Sequence, residues 1–205
     1  MEEVAHLREV LDKIESKLLA ASKIYSALQF QLWVVIMTLY YIFTSFMKNV
    51  PWQFTALYWS VGFVIFIYLS ALIWKRLRNL QDTAGKGMKN PAAFGWSIAA
   101  SWITGSLVGW LLVPYLLGSA YPQVAVGIGY LVFISISVLG MFLTILHFEG
   151  RVEREMVPAF LIPLLGIAGI GVMQVHPMIY AGFFVALGFS ITVVLYIYMA
   201  FKTLG

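Results

Sequence analysis

The chain contains no cysteine. Disulfides, thiolate metal sites and a cysteine nucleophile are therefore excluded, while the compartment stays open, because a chain held in a bilayer needs no covalent staple. Charge is also scarce: 11% of the residues are Asp, Glu, Lys or Arg, less than half the usual share of a soluble domain, which is about 25%. Neither His-Glu-x-x-His nor Gly-x-Ser-x-Gly occurs, so the sequence offers no zinc-peptidase helix and no serine on a strained strand-to-helix turn. Neither an enzyme nor a cofactor is expected.

What remains is apolar. Hydrophobic residues make up 61% and aromatics 16%, with a mean hydropathy of +0.89. A hydrocarbon core of about 30 Å takes about 20 apolar residues to cross, and six runs qualify: residues 27–47, 54–74, 92–117, 124–148, 157–175 and 178–201. The pattern predicts an all-α integral membrane protein, with six transmembrane helices arranged as three helical hairpins. An N-terminal cytoplasmic, coiled-coil-like helix over residues 1–26 runs on into the first span, so that 1–26 and 27–205 are the two compositional domains. The first 26 residues lack a basic n-region and a short apolar core, so the first span is expected to be its own insertion signal.

Loop charge sets the orientation. Lys75, Arg76, Arg78, Lys86 and Lys89 follow the second run and Arg151 and Arg154 the fourth, whereas Lys48 is the only basic residue in the alternate turns. By the positive-inside rule both termini are cytoplasmic, in a multi-pass protein of the cell (plasma) membrane. Trp52 and Trp110 fall near the outer boundary and Trp74 and Trp96 near the inner one, where aromatic belts belong. All nine acidic and thirteen basic residues lie outside the span interiors. Proton-coupled antiport and voltage sensing, which need intramembrane charge, are disfavoured.

In the first helix, apolar or small residues recur at Val4, Leu7, Leu11, Ile14, Leu18, Ala21, Tyr25 and Leu28, in steps of three and four. That is a heptad seam, and a parallel partner would set Glu3 opposite Arg8. A homo-oligomer through Val4, Leu7, Leu11, Ile14 and Leu18 is expected, the alternatives being packing on the protein's own loops or lying on the membrane. Val10 and Ile24 widen the apolar face. The charges are mixed in sign, unlike the cationic face of a membrane-surface helix.

Pro51, Pro122 and Pro177 each open a span, where proline is pre-organised and forfeits no hydrogen bond. The fourth and sixth runs share a Gly five residues after the Pro, Gly127 and Gly182, and a later Ser-Ile pair, Ser135-Ile136 and Ser190-Ile191. This suggests duplicated hairpins, beside the simpler reading of tight turns that each needed a helix start. Small residues at every fourth position, Ser97, Ser101, Gly105 and Gly109 in the third run and Gly182, Ala186 and Ser190 in the sixth, predict close helix contacts and a central place for both helices. Bulky aromatics in the first two runs, among them Trp33, Tyr40, Phe43, Phe63, Phe66 and Tyr68, predict lipid-facing helices.

The fifth run holds Pro158, Pro163, Gly166, Gly169 and Gly171. Broken helices at membrane depth line cavities or binding sites in transporters, although a kinked helix fitted to its neighbours gives the same pattern. The candidate solute site is therefore Pro163 and Gly166 with the hydroxyls of Ser101, Thr104, Ser135 and Ser190. The loop cations Lys75, Arg76, Arg78, Lys86 and Lys89 are the candidate surface for membrane lipid or a soluble protein partner. Nucleic acid is not expected as a partner. His147 and Glu149 are spaced like two metal ligands but lack a third, and the mixed row from Glu149 to Glu155 reads as a solvated loop. Gly85-Lys86-Gly87 lacks the rest of a phosphate loop, and Gly127-Ile128-Gly129-Tyr130 lacks the pore helix of a potassium filter. Two functions fit: an oligomeric, channel- or transporter-like pathway or binding site for a small neutral solute, or a non-transporting scaffold or sensor subunit that recruits a soluble partner.

Overall fold

The computed structural model describes residues 2–47, 49–83, 90–119, 122–172 and 176–204. Among them the chain is all-helical, with no strand. The helices are α1 (Glu2–Ser45), α2 (Trp52–Thr83), α3 (Pro91–Ser106), α4 (Val113–Leu117), α5 (Pro122–Glu149), α6 (Val157–Val172) and α7 (Pro177–Leu204), with a π-helical segment at Leu107–Leu112 and a 3₁₀ turn at Arg154–Met156. Five stretches are long and apolar enough to cross a membrane: Val10–Ser45, Trp52–Asp82, Pro91–Leu117, Val124–Glu149 and Pro177–Leu204. The fifth expected span is represented by α6, whose 16 described residues reach about 24 Å; its expected end at 173–175 lies outside the described residues.

Helix starts follow the proline rule. Pro91, Pro122 and Pro177 occupy first helical positions, and the Asn90 side chain caps α3 by accepting from the Ala93 amide at 3.2 Å. Gly150 ends α5 at φ +66, where its amide closes on the Leu146 carbonyl at 3.0 Å; glycine takes this left-handed cap without a Cβ penalty.

The chain divides into two compact units, Met1–Lys89 with Val193–Gly205, and Asn90–Thr192. In the first unit α1 is a single helix of 44 residues, about 66 Å long, against which α2 runs antiparallel. Ser70 donates to the Gln29 side chain at 2.6 Å, Tyr58 to the Ile36 carbonyl at 2.7 Å, and Tyr40 pairs with Thr55 at 3.1 Å. Trp33 packs on Phe66 with ring centroids 4.4 Å apart, and Tyr40 on Trp59 at 5.2 Å. Part of the aromatic set thus interlocks the two helices, while Phe43, Phe63 and Tyr68 are exposed as expected of lipid-facing residues.

In the second unit the stripe of α3 meets a matching one on α5. A Cβ at Gly105 would strike the Phe133 carbonyl at 2.7 Å and the Ser137 hydroxyl, one at Gly109 would meet Phe133 Cβ at 2.6 Å and the Gly129 carbonyl, and one at Gly140 would meet Ser101 Cβ at 2.6 Å. The small residues of α3 behave as the sequence predicts, letting two backbones touch. The centre of the unit is nonetheless α5, which packs on α3, the π segment, α4 and α6 and fully buries Leu131, Ser137 and Val138. Only Phe94 and Gly105 of α3 are buried, so its expected central place is corrected: it has one packed edge, and its other faces are open.

The π segment has a cause in the chain. Val113 donates to the Val108 carbonyl, five residues back; the next residue, Pro114, has no amide hydrogen to give to Gly109 in that register. The Gly109 carbonyl instead lies against the Gly129 Cα, beside the Pro114 ring, a Cα–H···O contact worth about 0.5–1 kcal/mol.

Replacing Gly105 by Leu should destabilise the protein by about 1–3 kcal/mol or more through overpacking. Gly95→Ala, at a helical position with nothing within 4 Å of a new Cβ, should be neutral or stabilising by up to about 1 kcal/mol. Melting temperatures in detergent that fail to separate the two variants would refute the α3–α5 contact.

Candidate functional site

The six residues expected to share a solute site lie in different surroundings. Ser101 lies in the α3–α5 contact, its hydroxyl donating to the Ser97 carbonyl at 2.9 Å. Thr104 is exposed on the same helix, and Ser190 is exposed on α7. The stripe expected on α7 holds only at its start: Gly182 is buried and Ala186 half-buried, whereas Ser190 is exposed, and the buried face runs through Ala181, Val185, Phe189 and Thr192. Its rotation is set by Gly188, where a Cβ would come within 2.7 Å of the Pro158 carbonyl and 3.2 Å of the Pro163 ring. Ser190, two positions on, is turned by about 200°. Ser135 and Ser190, equivalent in the proposed duplication, therefore occupy opposite environments.

The broken helix is filled by protein. Gly166 faces Phe184, whose ring atoms would lie 2.6 and 2.8 Å from an added Cβ, and Gly169 faces the far end of the same ring at 3.2 Å. Pro163 is fully buried. The glycines of α6 make a slot for an aromatic of α7, the kinked-helix alternative, and Gly127 on α5 makes room for Pro177 in the same way, at 3.1 Å.

Three buried hydroxyls stand apart. Ser135, Ser137 and Thr192 have oxygens sealed from solvent with no hydrogen-bond partner among the described residues. Elsewhere helical hydroxyls bond to the carbonyl a turn back, as Thr144 does to Gly140 at 2.9 Å and Thr203 to Met199 at 2.7 Å. Only Ser135 belongs to the expected set. Ser137 could have been found from the run Gly129, Phe133, Ser137, Gly140, which marks one face of a helix; Thr192 has no such signal.

The loop between α5 and α6 corrects a second expectation. Arg151 pairs with Glu149, but Glu153 and Glu155 are buried, at 5% and 6% exposure, and both are engaged in interactions. They are not a solvated charge row. His147 lies edge-on to Phe148 at 5.0 Å, and no group of three metal-ligating side chains occurs among the described residues.

Of the basic candidates, Lys75 and Arg76 are exposed and Arg78 stands over the Trp74 ring at 5.8 Å; Lys86 and Lys89 lie outside the described residues. Of the seam, Leu11 (64% exposed) and Ile14 (46%) are uncovered and Leu18 is half-buried, while the side chains of Val4 and Leu7 lie outside what is described. The first unit buries a neighbouring face of α1, through Ala20, Ala27, Phe30 and Met37.

No protein-family model, characterised protein or solved structure matches this chain. Its class rests on its own helices, several of them long and apolar enough to span a membrane, which point to a helical membrane protein.

If Phe184 fills the glycine slot, Gly166→Ala destabilises the protein, and in a Phe184→Ala background the same change is close to neutral, a coupling of about 1–3 kcal/mol; additive effects in a thermal double-mutant cycle would refute the contact. Replacing a buried, unpaired hydroxyl by an apolar group of similar shape is neutral or stabilising. Ser135→Ala and Thr192→Val should therefore leave or raise the melting temperature, and a drop of several degrees would show that those oxygens hold a ligand or water.

Proposed function

We propose that this chain is a non-transporting membrane subunit that assembles with copies of itself through the free end of α1. The observation that carries this reading is the uncovered apolar side of that helix. The Gln29–Ser70 bond fixes the antiparallel register, so Thr83, the last helical residue of α2, falls level with about Ser16. The first 14 or so residues of α1, about 21 Å of helix, run past the described end of α2. Val10, Leu11 and Ile14 are exposed there; they precede residues 27–47, the run that crosses the membrane in this reading, and so lie in water.

A rod that ends in water with an apolar heptad face gains by pairing, and a parallel second copy brings Glu3 opposite Arg8 with no like charges at the other facing flanks. The filled slot between α6 and α7 supports the non-transporting half of the reading. The loop charges favour six crossings in three hairpins with both termini in the cytoplasm of the plasma membrane, so that the paired helices form a platform for a soluble partner. A second reading, a site for a small neutral solute, is favoured by one observation, the unpartnered hydroxyls of Ser135, Ser137 and Thr192.

Leu11→Asp should convert the detergent-solubilised oligomer to a monomer without lowering the melting temperature, as should removal of residues 1–23. An unchanged mass in both, measured by light scattering, would overturn the pairing.

A further inference from the structure

We infer that the first unit carries a collar of cations that binds anionic phospholipid headgroups. Three helices build it. Ser70 on α2 is level with Gln29 on α1 through their hydrogen bond, and Trp74, one turn on, marks the end of the apolar run. Lys75, Arg76 and Arg78 follow within about 6 Å along the helix. At that level on α1, Lys23 holds its ammonium over the Tyr196 ring at 5.5 Å, and Tyr196 stacks on Phe30 with centroids 6.1 Å apart, which brings in the end of α7. Lys202 lies about 9 Å beyond Tyr196 along α7, and level apolar runs require α7 to be antiparallel to α1, so Lys202 points toward the same end. Lys17 completes the set.

These six cations share residues 16–28, 75–83 and 196–204 with one acid, Asp82. The acids of α1, Glu2, Glu3, Glu9, Asp12 and Glu15, all lie farther out. Positive charge is therefore concentrated in the band where headgroups sit, and mixed charge lies beyond it. The position decides the occupant, since an acidic protein would meet the mixed outer end first. The Arg78–Trp74 pair, 5.8 Å apart, has the amphipathic form of the headgroup layer: an indole at the apolar boundary with a guanidinium above it, the group that best matches phosphate oxygens. Lys75, Arg76, Lys17 and Lys202 are exposed, long enough to reach phosphates while their stems cover apolar surface. Each cation in this position contributes about a fivefold preference for anionic lipid.

The test uses the full chain in vesicles of equal parts phosphatidylglycerol and phosphatidylcholine, extracted into mild detergent, with retained lipid counted by native mass spectrometry. The expected result is a retained pool enriched at least tenfold in phosphatidylglycerol. The enrichment should fall toward the bulk ratio in the variant K75Q/R76Q/K202Q, which alters only exposed side chains, and persist in Lys13→Gln, whose cation lies outside the collar. If the charges served only to orient the chain during insertion, the wild-type protein would retain the bulk ratio, and that result would overturn the inference; so would an enrichment that the triple variant leaves intact. The measurement is independent of α1 pairing, which Leu11→Asp removes without touching the collar.

Discussion

The second unit depends on the approach of two helix backbones at Gly105, Gly109 and Gly129. Lipid supplies no hydrophobic drive for helices to associate, since a lipid tail is as apolar as leucine; attraction has to come from close contact. Contact this close is open only to residues with little or no side chain, and three of the glycines that make it would place a Cβ inside another backbone or side chain. The arrangement around them follows. Trp102 and Trp110 both pack on Phe133, at 5.5 and 5.9 Å, and the Trp102 indole donates to the Met141 sulfur at 3.2 Å. The large rings sit beside the glycine contact because the glycines leave the flanks, not the centre, to be filled.

The same principle explains what was legible in the sequence. Five of the six apolar runs of membrane length, prolines at helix starts and the four-residue stripe of α3 are local signals, and the structure follows them. The candidate site was not legible, because it rested on residue type rather than on rotation. Gly166 reads equally as a hinge or a slot until Phe184 is seen to fill it, and the α7 stripe loses Ser190 because Gly188, outside the four-residue series, sets the face that packs. Burial of Glu153 and Glu155 could not be read either: a run of alternating charge carries no mark of which member turns inward.

The first unit is held differently. Its helices meet through aromatic rings and side-chain hydrogen bonds, Trp33 on Phe66 and Ser70 on Gln29, rather than through bare backbone. Side-chain bonds of this kind are directional, and they fix the axial register of α1 against α2. That register is what carries the end of α1 past the described end of α2 and puts the cations of α1 and α2 at one level, so the proposed assembly face and the headgroup collar both derive from it.

The π-helical turn at Leu107–Leu112 has a consequence for how the third helix tolerates change in length. A π turn is an α-helical stretch with one residue too many, and everything after it is advanced by that residue, a rotation of about 100°. Pro114 reaches Gly129 only in the advanced phase. Excising one residue from this stretch would restore an ordinary helix and improve its local bonding, yet would turn Pro114 off the seam. The surplus residue is thus part of the fit between the helices, and the length of this stretch sets its phase.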